Sequence, residues 1–329
     1  MNTTAPVTSI LTREIRGIPT HDRLTPFTLA PQQTRIPAAT FTSPALLTPV
    51  STISNETEFI SIVPTPSPTT SPITPDLLSS SPTPSNFSGL FAFGQSVFGR
   101  ELTALRLGDG DQMIMLVGGV HGGWEVNTSD LMNELITHFE QNPTGILPGI
   151  SLMIIPVLNP DGASRGRVLE GRFNDHEVDL NRNWGCDWSS DAYFQSRKVS
   201  AGDAAFSEPE TQALSTLILQ VRPSVVLLYH SAADGIFTGH CNDDDAGSDA
   251  MAQILGDATG YSYGDSFTAY PVSGTAPDWI TAQGIPSADV ELATWRTTEF
   301  DRNLRGIMAL QCWLTQSTPS VIRTAQCPS

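Results

Sequence analysis

The stretch Met113-Ile-Met-Leu-Val-Gly-Gly-Val-His121-Gly-Gly-Trp-Glu125 constrains this chain more than any other. An apolar run bounded by glycines reads as a strand buried on both faces, the habit of a central strand in an α/β sheet. Such a strand delivers His121 and Glu125 to the edge where open α/β sheets place their ligands. An imidazole and a carboxylate on a glycine-rich turn suit a divalent metal, zinc best of all. The same pair equally describes a helix N-terminal carboxylate beside a strand-end histidine. A metal reading therefore needs partners from elsewhere in the chain.

Composition divides the 329 residues unevenly. Before residue 86 the chain is rich in Pro, Thr and Ser, with Gly17 as its single glycine and no tryptophan. A segment such as Pro64-Thr-Pro-Ser-Pro-Thr-Thr-Ser-Pro-Ile-Thr-Pro75 buries too little apolar area to offset its ordering entropy. The expectation is a mobile tether over 1–85 and one folded catalytic domain over 86–329. Net charge is −17, with 13 bases against 29 acids beyond residue 85. That balance excludes nucleic acid and anionic membrane surfaces as expected partners. No stretch approaches the ~20 apolar residues of a membrane span.

The four cysteines, Cys186, Cys241, Cys312 and Cys327, lack Cys-x-x-Cys spacing, which argues against a thiolate metal site. Their even number, the tether and a single lysine (Lys198) fit an extracellular or cell-envelope protein with two disulfides, with buried free thiols as the alternative. A pairing of Cys186 with Cys241 and Cys312 with Cys327 is one of three connectivities.

Periodicity predicts strands over 89–97, 101–107, 113–120, 150–157, 224–229 and 288–292. The first two form a hairpin feeding the third. Helices are expected over 128–141, 207–220 with Ser207 as N-cap, 247–259, 277–283 and 299–314. The 163–205 segment is irregular and long enough to be functional or pinned by a disulfide. Alternating strands and helices give an α/β class with a mixed, largely parallel central sheet flanked by helices.

The strand 224–229 ends in His230 and the strand 288–292 carries Glu291. Polar groups at strand ends can meet in space while far apart in sequence. Two histidines and a glutamate leave one zinc position open for water, and a further carboxylate, Glu291, can take the proton of that water.

These residues carry a resemblance. Gly94-Gln-Ser-Val-Phe-Gly-Arg100, the His121 to Glu125 turn, Asn159-Pro-Asp-Gly162, Asp179-Leu-Asn-Arg-Asn-Trp184, Leu228-Tyr-His-Ser231, Tyr270 to Trp279 and Asp289-Val-Glu291 follow one another as in the zinc carboxypeptidases of the M14, carboxypeptidase A-like family. The resemblance implies that family's α/β/α sandwich, and one Zn²⁺ per chain on His121, Glu125 and His230. It makes Asp179 the carboxylate that orients the first histidine, a contact that raises ligand basicity. Asn181 and Arg182 resemble the pair that grips the free C-terminal carboxylate of a peptide substrate. Arg172 resembles the oxyanion-stabilising arginine, Tyr270 the mobile tyrosine and Glu291 the general base.

Two departures from the pattern stand out. Three residues instead of two separate His121 from Glu125, and the arginine usual between them is missing. An extra glycine can bulge the turn and still aim Glu125 at a metal. By position, Pro277 and Asp289 resemble the residues that line the family's pocket for the C-terminal side chain. Asp289 would attract Lys, Arg or the amine of diaminopimelate, which extends the expected partners to cell-wall peptides. The rivals to a carboxypeptidase are a peptidoglycan-peptide peptidase of the same fold and a zinc-free peptide- or glycan-binding module.

Overall fold

The structure, a computed structural model, describes residues 89–242, 245–264, 267, 269–316 and 327. The stretch assigned to a tether, 1–85, lies outside the described residues. In chain order the strands are β1 (Gly89–Gln95), β2 (Glu101–Leu107), β3 (Gln112–Val117), β4 (Ile150–Ile155), β5 (Ala192–Phe194), β6 (Arg197–Val199), β7 (Val225–Ser231), β8 (Gly235–Thr238) and β9 (Ser287–Leu292). The helices are α1 (Val126–Gln141), α2 (Pro160–Arg165), α3 (Pro209–Val221), α4 (Ser248–Thr259), α5 (Ala276–Ala282) and α6 (Phe300–Gln316).

Seven strands form one mixed sheet in the order β1-β2-β4-β3-β7-β9-β8. The centre, β4-β3-β7-β9, is parallel, and antiparallel strands close both edges. The α/β class expected from the sequence stands, with the parallel part confined to the middle. The β1–β2 hairpin lies against β4 rather than β3. Helix α1 returns the chain so that β4 lies parallel beside β3, and the hairpin takes the outer side of β4. Strand β8 was not foreseen, because four residues between a strand end and a loop give no periodic signal.

Strand parity sorts the core into two layers. Ile114, Leu116, Leu227, Tyr229, Val290 and Leu292 face α1, α4 and α6. Met115, Val117, Val226 and Leu228 face α3 and α5, together with Trp184. By the same alternation His230 and Glu291 emerge on the α3/α5 side at the ends of β7 and β9.

The 163–205 segment contains short 3₁₀ turns at Leu169–Arg172 and Leu180–Arg182 and the small β5/β6 hairpin. Helix α3 is capped by Glu208, not Ser207: Pro209 occupies the first helical position, and the Ser207 hydroxyl donates to the Glu208 carboxylate. Proline at that position sets the helical φ one residue later than the expected cap.

All four cysteines are paired, Cys186 with Cys241 and Cys312 with Cys327, so the free-thiol alternative falls away. The first bridge spans 55 residues and joins the loop after Asn183 to the loop after β8. Replacing both of its cysteines by serine is expected to lower stability by about 2–4 kcal/mol, since closing a loop of that length removes much unfolded-state entropy. Denaturant unfolding under non-reducing conditions measures this; an unchanged midpoint would show the bridge to be without structural consequence.

Candidate metal centre and active-site cleft

The turn after β3 answers how a four-residue offset can serve one site. Gly122 has φ +44°, and a Cβ there would lie 2.6 Å from the Ala163 nitrogen. A Cβ on Gly123 would lie 2.4 Å from the Gly166 carbonyl oxygen. The two glycines therefore let the turn pack directly on the backbone around α2, where no side chain fits. The amides of Gly122 and Trp124 donate to Gly119 and His121 carbonyls, which coils the turn tightly. Glu125 then stands at the N-cap of α1. Thr128 fixes it there, donating to the Glu125 carbonyl and accepting from the Gly119 amide.

The bulge aims Glu125 inward. Its Oε1 lies 2.8 Å from His121 Nδ1 and its Oε2 3.0 Å from His230 Nδ1, while the two Nδ1 atoms are 3.1 Å apart. All three residues are buried. The outer nitrogen of each ring is held by a carboxylate: His121 Nε2 by Asp179 at 3.0 Å, His230 Nε2 by Asp289 at 3.3 Å. The Asp179 contact favours a proton on His121 Nε2 and turns its Nδ1 lone pair toward the Glu125 carboxylate, while Asp289 places a negative charge beside the outer nitrogen of His230. A lone pair and an anion converging out of water repel one another unless a positive charge sits among them. The donor set, two imidazole nitrogens and one carboxylate, is one zinc takes readily. These residues fit the ion that the sequence resemblance implies.

The titration behaviour follows the same demand for positive charge. Burial opposes ionisation of Glu125, but His121 and His230 outweigh it and hold its carboxyl below the usual range. Burial likewise disfavours the His230 cation, yet Asp289 and Glu125 raise it well above an ordinary histidine. Asp179 stays ionised against burial because Arg172 and His121 face it.

Glu291 completes the cluster from the neighbouring strand, where it is the register partner of His230. Its Oε2 is buried and accepts no hydrogen bond from any described residue. Burial, then the Glu125 charge, push its carboxyl up to about 8. Arg172 is buried and donates to Asp179 Oδ2 at 2.8 Å and to Glu125 Oε1 at 3.3 Å, with its guanidinium 4.0 Å from the Phe194 ring centroid. Arg182 donates only to backbone carbonyls, those of Asn181 and Tyr193, so its charge has no carboxylate partner among the described residues. Asn181 donates to Asp289 Oδ2 at 2.9 Å and accepts from the Ala276 amide. Trp184, buried against Phe206 and Trp279, and Asn183, bonded to the Ala201 and Ala204 carbonyls, anchor this loop.

The residues chosen from the sequence line one cleft of about 390 Å³, apart from Asp179 behind His121. That size suits a small ligand. Tyr270 stands at its mouth, edge-on to Phe194 and Phe267, and burial pushes its phenol up so that it remains a donor. Asp289 differs from the expectation of an open specificity carboxylate. Its oxygens face His230 and Asn181 and its side chain is 16% exposed, so it stands behind His230 while forming part of the wall. Sequence reasoning missed Asp249 and Asp278, which line the same end as Pro277. Asp278 lies within the quoted Tyr270 to Trp279 motif, and its placement beside Thr275 and the His240 amide depends on how α5 meets the loop after β8.

A mixed α/β sheet with a buried His-Glu-His cluster at the ends of its central strands defines the class of single-metal hydrolases built on strand-end ligands. The chain belongs to the zinc carboxypeptidase family, peptidase family M14, whose model matches residues 82–304. A zinc carboxypeptidase of Simulium vittatum is 29% identical over 220 residues, covering 56% of this chain and 71% of that protein. Murein peptide amidase A of Vibrio campbellii is 32% identical over 149 residues, covering 42% of this chain and 55% of its own length. Carboxypeptidase A from Helicoverpa armigera superposes with a TM-score of 0.56 at 19% identity, over 71% of this chain and 70% of that one, a likeness of fold.

Proposed function

We propose that this protein is a zinc-dependent carboxypeptidase that hydrolyses the C-terminal peptide bond of a peptide. The observation that carries the reading is Glu291, a buried carboxylate with an unpartnered oxygen, set in register beside the metal-ligand cluster. His121, Glu125 and His230 would hold the ion. Zinc bound there supplies a Lewis acid that acidifies water and polarises a carbonyl.

The chain's own groups divide the remaining work. Arg182 and Asn181 receive the terminal carboxylate, the guanidinium through its planar fork. Glu291 takes a proton from the attacking water and returns it to the departing amine. Arg172 offsets the negative charge that develops on the carbonyl oxygen, and Tyr270 closes over the terminal residue and excludes water. Asp179 and Asp289 keep both imidazoles aimed inward.

The end of the cleft beyond Arg182 supports a basic C-terminal residue: Asp249, Asp278 and Asp289 line it together with Pro277. Diaminopimelate meets the same chemistry, and the similarity to a murein peptide amidase favours cell-wall peptides as a second substrate reading. The two disulfides suit an extracellular or envelope location. A zinc-free binding module is the weaker reading, because binding alone does not need a buried base. Metal analysis coupled to cleavage of peptides ending in Phe, Lys and diaminopimelate tests the proposal. Stoichiometric zinc with preference for the last two supports it; no zinc and no cleavage would sink the peptidase reading, and a strong Phe preference the basic one.

The pH profile follows from Glu291. Its ionised form is the base, so kcat/KM is expected to fall as pH drops through its pKa. Its carboxyl is pushed up to about 8 with no cation beside it, and a cation held by His121, Glu125 and His230 would bring it down toward the carboxylate value of 4.5, so the acid limb is expected between the two. A kcat/KM profile flat from pH 8 down to 4 would contradict the assignment.

A further inference from the structure

The cleft does not end at the metal cluster. It continues past Ser231, Glu291 and Trp295 into a second groove on the side away from Asp249, Asp278 and Pro277. Trp124, Phe194 and Trp295 wall this groove, with Trp124 edge-on to the other two at centroid distances of 5.4 Å to Trp295 and 6.3 Å to Phe194. Arg167 and Arg197 line it and are exposed. Neither makes an ion pair among the described residues, whereas Arg165 and Lys198 close by are paired with Asp175 and Asp191.

Exposed arginines without an ion pair also occur elsewhere among the described residues, at Arg222, Arg296 and Arg305; what sets Arg167 and Arg197 apart is that both line one aromatic-walled groove opening off the cleft. Guanidinium groups match carboxylates geometrically, and aromatic walls reduce the water that screens them. The cleft is thus charged oppositely at its two ends, carboxylates beyond Arg182 and guanidinium groups beyond Trp295. Because Arg182 receives the terminal carboxylate, a peptide must leave past Glu291 on the Trp295 side. We infer that the groove binds the substrate on the N-terminal side of the scissile bond and selects a segment bearing acidic side chains there. This rests on the carboxypeptidase reading and adds a specificity that the reading does not contain.

The test uses the zinc-loaded, full-length protein carrying Glu291→Gln, which binds without cleaving. Tetrapeptides sharing one C-terminal lysine and carrying Glu-Glu, Ala-Ala or Lys-Lys before it are titrated by calorimetry, with tryptophan fluorescence reporting on Trp124 and Trp295. At low salt the Glu-Glu peptide is expected to bind about three- to tenfold tighter than Ala-Ala, as for two exposed ion pairs, and Lys-Lys weaker than both. The order should collapse at high salt and in an added Arg167→Ala/Arg197→Ala pair, and persist in Arg167→Lys/Arg197→Lys. Equal binding of the three peptides, or a preference that survives the alanine pair, overturns the inference. If none of the peptides binds and the unmodified protein cleaves none, the carboxypeptidase reading fails and this inference with it.

Discussion

Glu291→Gln is expected to lower kcat by about 10²- to 10⁴-fold while leaving one zinc per chain and peptide binding in place. Glutamine keeps the shape of the side chain and its place beside His230 on the adjoining strand, so the ligand cluster should not rearrange. It cannot accept a proton. The lost function is therefore the transfer from water to the leaving amine, and the loss should appear in kcat more than in KM. In the zinc-free protein, where burial pushes this carboxyl up to about 8, removing it should also raise stability at alkaline pH, because the ionised form is penalised by burial. The sign follows from the raised pKa: the native group costs stability above its unfolded value and ceases to do so as pH falls through that range. Metal analysis beside steady-state kinetics separates the outcomes. Full activity in Glu291→Gln would remove this residue from the chemistry.

Glu125→Ala should do something different, abolishing stoichiometric zinc. Glu125 is 2% exposed and touches both histidines and Arg172. Without it, two neutral imidazoles remain to hold a dication, and the affinity is expected to fall by more than the roughly 10- to 100-fold that loss of an outer partner costs. Arg172 would also be left facing the ion with one carboxylate partner instead of two. Equilibrium dialysis against zinc measures the effect directly. Full zinc occupancy in Glu125→Ala would mean that the displaced glutamate is a partner of the histidines and not a ligand, and the metal would need a different third donor.

Much of this site was legible in the chain because its residues sit where apolar runs stop. His121 and His230 follow β3 and close β7, and a buried strand leaves little choice about where its polar end emerges. Glu291 is legible the same way, as the carboxylate carried near the end of β9. Asp179, Asn181 and Arg182 came from a motif whose order in the chain resembles a known family. The residues that sequence reasoning did not reach are of another kind. Trp124 and Trp295 are 171 positions apart, and nothing local marks them as partners; only the packing of the turn after β3 against the loop after β9 brings their rings together. Asp249 and Asp278 lie on different helices and meet the cleft only because α4 and α5 approach the loop after β8.

Asp289 marks the boundary between the two sources of knowledge. Its position on β9 is readable in sequence, and its place at the cleft wall is what the resemblance to a known family implies. Whether its carboxylate faces the substrate or a histidine depends on the register of β9 against β7, which is a property of sheet assembly. Composition alone carries the acidic balance, and burial and periodicity acting along the chain carry the α/β class and the strand-end candidates His121, His230 and Glu291. Packing of distant segments is what lets the bulged Gly122-Gly123 turn bring Glu125 to both histidines, sets Asp289 behind His230, and gives the cleft opposite charge at its two ends. Those depend on backbones packing within van der Waals contact and on charged groups meeting across as many as 105 residues of chain, which no local pattern records.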